Sequence, residues 1–359
     1  MIIFNARSKV WRAPVLIRDI NDGLRRAALA LLVAAGLAHA PALFAQGAGA
    51  QSLDALIKAA RAEGEVVFYS APPENVAKRV ADAFSAKYGI KTSFTRMAYP
   101  QLMQRFGAEA EAGSFPADLF LNAGTVAAPY ALEGIKKGWI ESISEAGLPV
   151  ITSGEFPARF NKGPVAVVAI YIHGIAYNTS KVKAGDVPKD WPDILDPKWK
   201  GQVMISDPAG LLEGWSLLLD KYGEGFFKQI SAGAPRLYSG SAVAATQALG
   251  AGEGSLHLPN VMSIVAATKD KGAPIDIMFP SHTTGSEIQV TLVNRSKVKH
   301  PNAARLFANY IMTPEGSEVF NRDPGGFSMY DTSKLPKQYE APKLVPKSRI
   351  DQIMKLLGF

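Results

Sequence analysis

From Ser52 onward the apolar positions switch between two spacings. Leu53, Leu56 and Ile57 recur at helical intervals up to Ala62, with Ser52 placed to cap the first turn and Gly64 to end the last. Glu65 to Tyr69 is a short β-rich run, Glu74 to Tyr88 is amphipathic at the helical period and stops at Gly89, and Lys91 to Arg96 reads as a strand. Gln101 to Ala112 predicts a helix and Ala117 to Leu121 a strand, with Asn122 to Thr125 as the turn into the next helix. Strands alternating with helices in this order predict an α/β fold whose first lobe is built on a mostly parallel sheet.

Gly163 to Val182, "GPVAVVAIYIHGIAYNTSKV", is apolar for too long to be one average strand of about six residues. It reads as two strand pieces bent at His173-Gly174, a natural crossing between two lobes. A Trp- and Pro-rich loop from Lys189 to Pro208 leads through strand Gln202 to Ile205, and the alternation then resumes. Its members are helix Gly214 to Tyr222, strand Arg236 to Tyr238, helix Ala242 to Leu249, strand Ser255 to Leu258 and helix Val261 to Lys269. Pro274 to Ser296 is a second extended stretch, broken at Pro280 to Gly285, where a return crossing is expected. Helices at Asn302 to Met312, Pro314 to Asn321 and Ser348 to Leu357 close the chain.

Composition narrows the class. The 359 residues are 47% hydrophobic and 20% charged, enough apolar material for two moderate cores. Arg25 and Arg26 precede the apolar run Ala27 to Leu37, and small residues follow to Ala50; this is the order of a cleavable signal peptide over residues 1–50, with cleavage after Ala45 or Ala50. The run is too short to span a bilayer. Those fifty residues hold six Arg or Lys and two Asp, so the formal +7 of the whole chain falls to +3 for the remainder. Lysines scattered singly make no basic stripe, and no nucleic-acid partner is expected. Cysteine is absent, which removes thiol catalysis and Cys-ligated metal sites.

Five strand-to-helix junctions share one chemistry: Ser70-Ala71, Asn122 to Thr125 with Gly124, Asp207 to Gly210 with Ala209, Ser239 to Ala242 with Ser241, and Pro259-Asn260. In an α/β sheet such loops lie at the carboxyl ends of the strands, where ligands bind. Small residues leave helix-start N–H groups open to an anion. Ser, Asn and Asp are also the preferred helix caps, so each residue alone has that ordinary reading. Arg96 and Tyr99, after the second strand, offer a charge and a stacking face, and His282 lies on a loop able to reach the same place. No nucleophile elbow, zinc motif or phosphate-binding loop occurs, so neither a catalytic residue nor a cofactor is expected.

Taken in order, "EVVFYSAPPENVAKRVADAFSAKYGI", "RMAYPQLMQRFGAEAEAGSFPADLFLNAG", "HGIAYNTSKV", "LYSGSAVAATQALGAGEGSLHLPN" and "KHPNAARLFANYIMTPEGSEVFN" resemble the periplasmic solute-binding proteins of ABC importers, in the ferric-ion-binding branch of the type 2 fold. The resemblance implies two α/β lobes joined by crossing strands: residues 51–167 with 284–325, then 168–283, with 326–359 as a tail packing on both. It also implies a periplasmic monomer that closes on one solute and delivers it to an inner-membrane permease. Ferric relatives bind iron with a His in the first strand loop, a Glu after the "ADLF"-type strand and a Tyr pair after the "GE" strand. Here those places hold Ser70-Ala71, Asn122-Ala123 and Pro259 to Met262, so no metal ligand is retained. Ferric iron needs anionic oxygen donors. The expected cargo is instead a small organic anion: a phosphonate, a sugar phosphate or a carboxylate. Competing expectations are a ferric or metal-chelate receptor, a solute sensor, and a secreted hydrolase acting through Ser70 or His282.

Overall fold

Helix α1 (Leu53–Glu63) opens on Ser52, whose hydroxyl accepts from the Ala55 amide, and ends at Gly64 in the left-handed region. The computed structural model describes residues 52–323 and 326–359, so the expected signal peptide lies outside the described residues. Strand β1 (Glu65–Ser70), α2 (Glu74–Tyr88) and β2 (Lys91–Arg96) follow, then α3 (Tyr99–Glu111), β3 (Leu119–Ala123), α4 (Ala127–Lys136), β4 (Ile140–Glu141) and α5 (Pro149–Thr152). The crossing strand β5 (Ala166–Asn178) leads to β6 (Val203–Ser206), α6 (Leu212–Ala232), β7 (Arg236–Tyr238), α7 (Ala242–Gly250), β8 (Leu256–Val261), α8 (Met262–Lys269) and β9 (Ile275–Met278). The chain returns along β10 (Gly285–Val293) into α9 (Pro301–Met312), α10 (Pro314–Phe320), β11 (Gly326–Phe327) and α11 (Lys347–Leu357).

The strands run β2-β1-β3-β10-β5-β8-β6-β7, with β4, β9 and β11 paired alongside. β1 pairs in parallel with β2 and β3, and β10 lies antiparallel beside β3. The apolar run read as two bent pieces is one strand of 13 residues. Its first part, to Ile172, pairs with β10; from His173 onward it pairs with β8 and β9, with a register shift between Gly174 and Ala176. Gly174 sits where a Cβ would fall 2.3 Å from the Met278 carbonyl oxygen, so β9 approaches β5 this closely only because that position is glycine.

The fold is thus the two-lobed type 2 architecture, each lobe with its own core. In the first, Phe307 of α9 packs against Phe68 and Phe84 at ring separations of 4.9 and 5.0 Å. In the second, Trp215 and Phe227 of α6 pack at 5.7 Å with Trp191, and α11 adds Ile353 and Leu357. Full burial of each such side chain contributes about 1.5–3 kcal/mol. Arg79 of α2 ties the return segment down, bonding Asp323 with both terminal nitrogens at 2.8 and 3.0 Å and the Val319 carbonyl with Nε.

Three of the boundary differences bear on the site. α6 extends from Leu212 to Ala232 through a break at Gly223 rather than ending at Tyr222. β3 and β8 run two or three residues further than their apolar patterns suggest, because Asn122 and Asn260 are satisfied inside the sheet by neighbouring polar side chains. Both asparagines are therefore fully buried strand residues rather than loop residues. No helix among the described residues is long and apolar enough to cross a membrane.

Candidate ligand-binding cleft

A cleft of about 910 Å³, partly open to solvent, lies at the carboxyl ends of β1, β2, β3 and β6, between the lobes. The starts of α2, α3, α7 and α8 border it through Pro73, Tyr99, Ala242 and Ser263. α2, α3 and α8 have no side-chain cap, their cap positions being Pro73, Ala98 and Val261. On α7, Ser241 serves Ala244 with its hydroxyl and Ala245 with its carbonyl. The first amides of a helix have no partner within it, so these starts present N–H groups and the positive ends of helix dipoles to the cleft.

Arg96, the last residue of β2, is the cation of this wall. Among the described residues no carboxylate lies within ion-pair distance of its guanidinium, and no side-chain hydrogen bond holds it. Burial holds its pKa below the ordinary arginine value, opposed by the field of Glu74. A partly desolvated, unpaired guanidinium is costly unless an anion meets it. Two hydroxyls in the same wall are buried without a hydrogen-bond partner: Tyr171 Oη, on β5, and Ser263 Oγ, on α8. Burial pushes the Tyr171 and Tyr99 phenols well above the usual tyrosine range, which keeps both neutral.

Of the residues singled out in the sequence, Ala71, Arg96, Tyr99, Asp207, Gly210, Ser239, Ser241 and Ala242 line this cleft. Asp207 spends one oxygen on the Ala209 amide at 2.9 Å, which turns the chain into α6; Ala209 lies in that turn and not in the wall. The others are elsewhere. Ser70 is wholly buried at the end of β1, its Oγ unpartnered. Asn122 donates to Thr291 Oγ1 at 3.1 Å. Asn260 bridges Thr246 and His257 through Nδ2 and accepts from the Val261 amide, fixing the entry to α8 from below. His282 is not in the wall, its ring lying 3.4 Å from a Glu340 oxygen and its carbonyl accepting from the Trp191 indole at 2.7 Å.

Gly124 and Thr125 hold an interlobe contact that sequence reasoning did not anticipate. Glu213, in the first turn of α6, accepts from the Thr125 amide at 2.7 Å and from its hydroxyl at 3.3 Å. Gly124 adopts φ 91°, and a Cβ there would meet Glu213 Oε1 at 2.8 Å. Burial raises the Glu213 pKa, while the bonds from Thr125 pull it back down. Glu287, on β10, is raised by burial and by Glu213, with Lys162 opposing. Tyr171, Ser263 and Ser286 were missed because they lie within apolar or helical runs that carry no outward signal. The Pro72-Pro73 pair before α2 was the one visible mark of an uncapped helix start.

Among the described residues no group of three or more His, Cys, Asp or Glu side chains is placed to hold a metal ion. The family described as "Bacterial extracellular solute-binding protein" matches residues 79–347. An uncharacterized protein of Haemophilus influenzae is 26% identical over 271 residues, covering 72% of this chain and 76% of its own length. Among solved structures, the periplasmic binding protein AfuA of Actinobacillus pleuropneumoniae, with fructose-6-phosphate bound, is 21% identical with a TM-score of 0.63, over 82% of this chain and 97% of that one. Iron-bound HitA of Pseudomonas aeruginosa is 19% identical with a TM-score of 0.60, over 82% and 98%. At these identities the two structures speak for the shared fold.

Proposed function

We infer the task of the cleft from one premise: the chain belongs to the bacterial extracellular solute-binding protein family, whose members work with ABC transporters outside the cytoplasm. The cargo is a small organic anion, held between the lobes and handed unchanged to an inner-membrane permease by a monomeric periplasmic receptor. The observation that carries this reading is Arg96, an unpaired and partly buried guanidinium facing a cleft on which four helix starts open. A phosphonate or carboxylate oxygen would replace the water Arg96 gives up and take the free N–H groups of α7 and α8.

The wall offers one carboxylate, Asp207, already engaged, and neutral phenols. That donor set suits an anion better than a bare hard cation. The one hydroxyl in the wall that meets a ring nitrogen is Ser286 Oγ, 2.8 Å from His173 Nε2, but no carboxylate orients the other nitrogen of that ring and burial lowers its pKa to about 3, which makes it a poor base; with Ser70 sealed below the wall, the reading is capture without turnover.

Calorimetric titration of the exported chain with inorganic phosphate and simple phosphonates tests the reading. Arg96→Ala is expected to weaken binding about 10- to 100-fold, the worth of a charge-assisted hydrogen bond of about 1.5–3 kcal/mol. Anion binding indifferent to this substitution, or a charge-transfer colour with ferric ion that needs no added anion, would overturn it.

A further inference from the structure

Resting on the anion reading above, we propose that the cargo carries its charge on a compact, hydroxyl-poor apolar body, as an aryl or short alkyl phosphonate or carboxylate does, and is not a sugar phosphate. Much of the wall is apolar: Pro72, Pro73 and Pro100, which lack a backbone N–H, and the aliphatic side chains of Leu211, Ile264 and Ile288. Proline rings and branched chains make a smooth apolar slot for a flat ring or a short alkyl chain.

A polyol entering this slot would shed water from every hydroxyl, and each one left unpaired would cost affinity. Three of the polar side chains at hand are already committed. Asp207 Oδ1 accepts from Ala209 at 2.9 Å, Ser241 Oγ serves Ala244, and Ser286 Oγ pairs with His173 Nε2 at 2.8 Å. Tyr171 Oη and Ser263 Oγ are the buried wall hydroxyls without partners. Arg96 with these two hydroxyls matches the oxygens of a single headgroup, and the other uncommitted polar side chains of the wall, Tyr99, Gln101 and Ser239, are outnumbered by the proline and aliphatic side chains that would face the rest of the cargo.

The test is a calorimetric comparison of phenylphosphonate and benzoate with glycerol 3-phosphate and fructose 6-phosphate, taking inorganic phosphate as the bare anion. Phenylphosphonate is expected to bind about 30- to 100-fold tighter than inorganic phosphate, the effect of burying one ring, and glycerol 3-phosphate within about 3-fold of it. Ile264→Ser is expected to lower the phenylphosphonate-to-phosphate affinity ratio about tenfold. Val243→Ser, at the less buried start of α7, gives an independent reading of the same ratio if the Ile264 variant folds poorly. Fructose 6-phosphate binding tighter than phenylphosphonate, with Arg96→Ala weakening both, would overturn the apolar body and leave the anion reading standing. Failure of every anion to bind would overturn both.

Discussion

Replacing Glu213 separates two effects that meet in one carboxylate. Glu213→Ala deletes the acceptor of the Thr125 amide, bonded at 2.7 Å, and of the Thr125 hydroxyl at 3.3 Å. A hydrogen bond to a charged group contributes about 1.5–3 kcal/mol, but removing a buried carboxylate with no cation beside it returns part of that. The net expectation is a loss of about 1–2 kcal/mol, or roughly 2–4 °C in Tm for a chain of this size. Glu213→Gln keeps the acceptor and removes the charge, so at pH 7 it should melt at or above the wild type. The sign with pH follows from burial. The folded pKa of Glu213 is raised above its unfolded value of about 4.3, so its stabilising contribution is complete below that value and lost as pH rises through the folded pKa. Glu287 acts in the same direction. The Gln variant's advantage over wild type should therefore be largest at neutral pH and shrink toward pH 4.3, as read by differential scanning calorimetry across that range. Equal melting of the Ala and Gln variants, or a Gln advantage that does not change with pH, would refute the assignment of Glu213 as a buried interlobe acceptor.

Other outcomes follow from the same contacts. Gly124→Ala forces a side chain into the left-handed region and against Glu213 Oε1, and should cost about 1–3 kcal/mol, measured by urea unfolding. His173 and His257 are buried neutral, their pKa values lowered to about 3, so stability present above pH 6.5 should fall by up to about 1.4 kcal/mol per pH unit for each as pH drops toward 3; His257→Gln should remove one proton's worth of that slope in urea melts. Arg79→Ala breaks the paired bonds to Asp323 and should cost about 2–4 kcal/mol, seen as an earlier thermal transition. Trp215→Ala opens the second core and should cost about 3–5 kcal/mol by the same measure.

Much of the fold was written in local pattern. α2 and β2 fall on the residues their periodicity marks, since Gly89 ends the helix in the left-handed region where other residues are strained. Arg96 and the Ser239 to Ala242 turn were legible because charge and small polar residues stood where an expected strand ends and a helix begins. Asn122 and Asn260 were misplaced for the converse reason. Their polarity reads as a turn, yet Thr291 of β10, 169 residues further on, satisfies Asn122 inside the sheet, and Thr246 of α7 satisfies Asn260. Tyr171 borders the cleft from a strand that is apolar at every neighbouring position, so only the packing of β5 against both lobes shows which of its side chains meets the cleft. The bond from Glu213 to Thr125 joins residues 88 apart and has no local signature at all.

The strand β5 has a consequence for how the molecule lives and dies. Since one unbroken ribbon supplies a central rung to both sheets, neither lobe owns a complete sheet of its own. Severing the chain near His173 would give two fragments, each with a raw edge seeking another chain. Heat should accordingly dismantle the two lobes in one cooperative step.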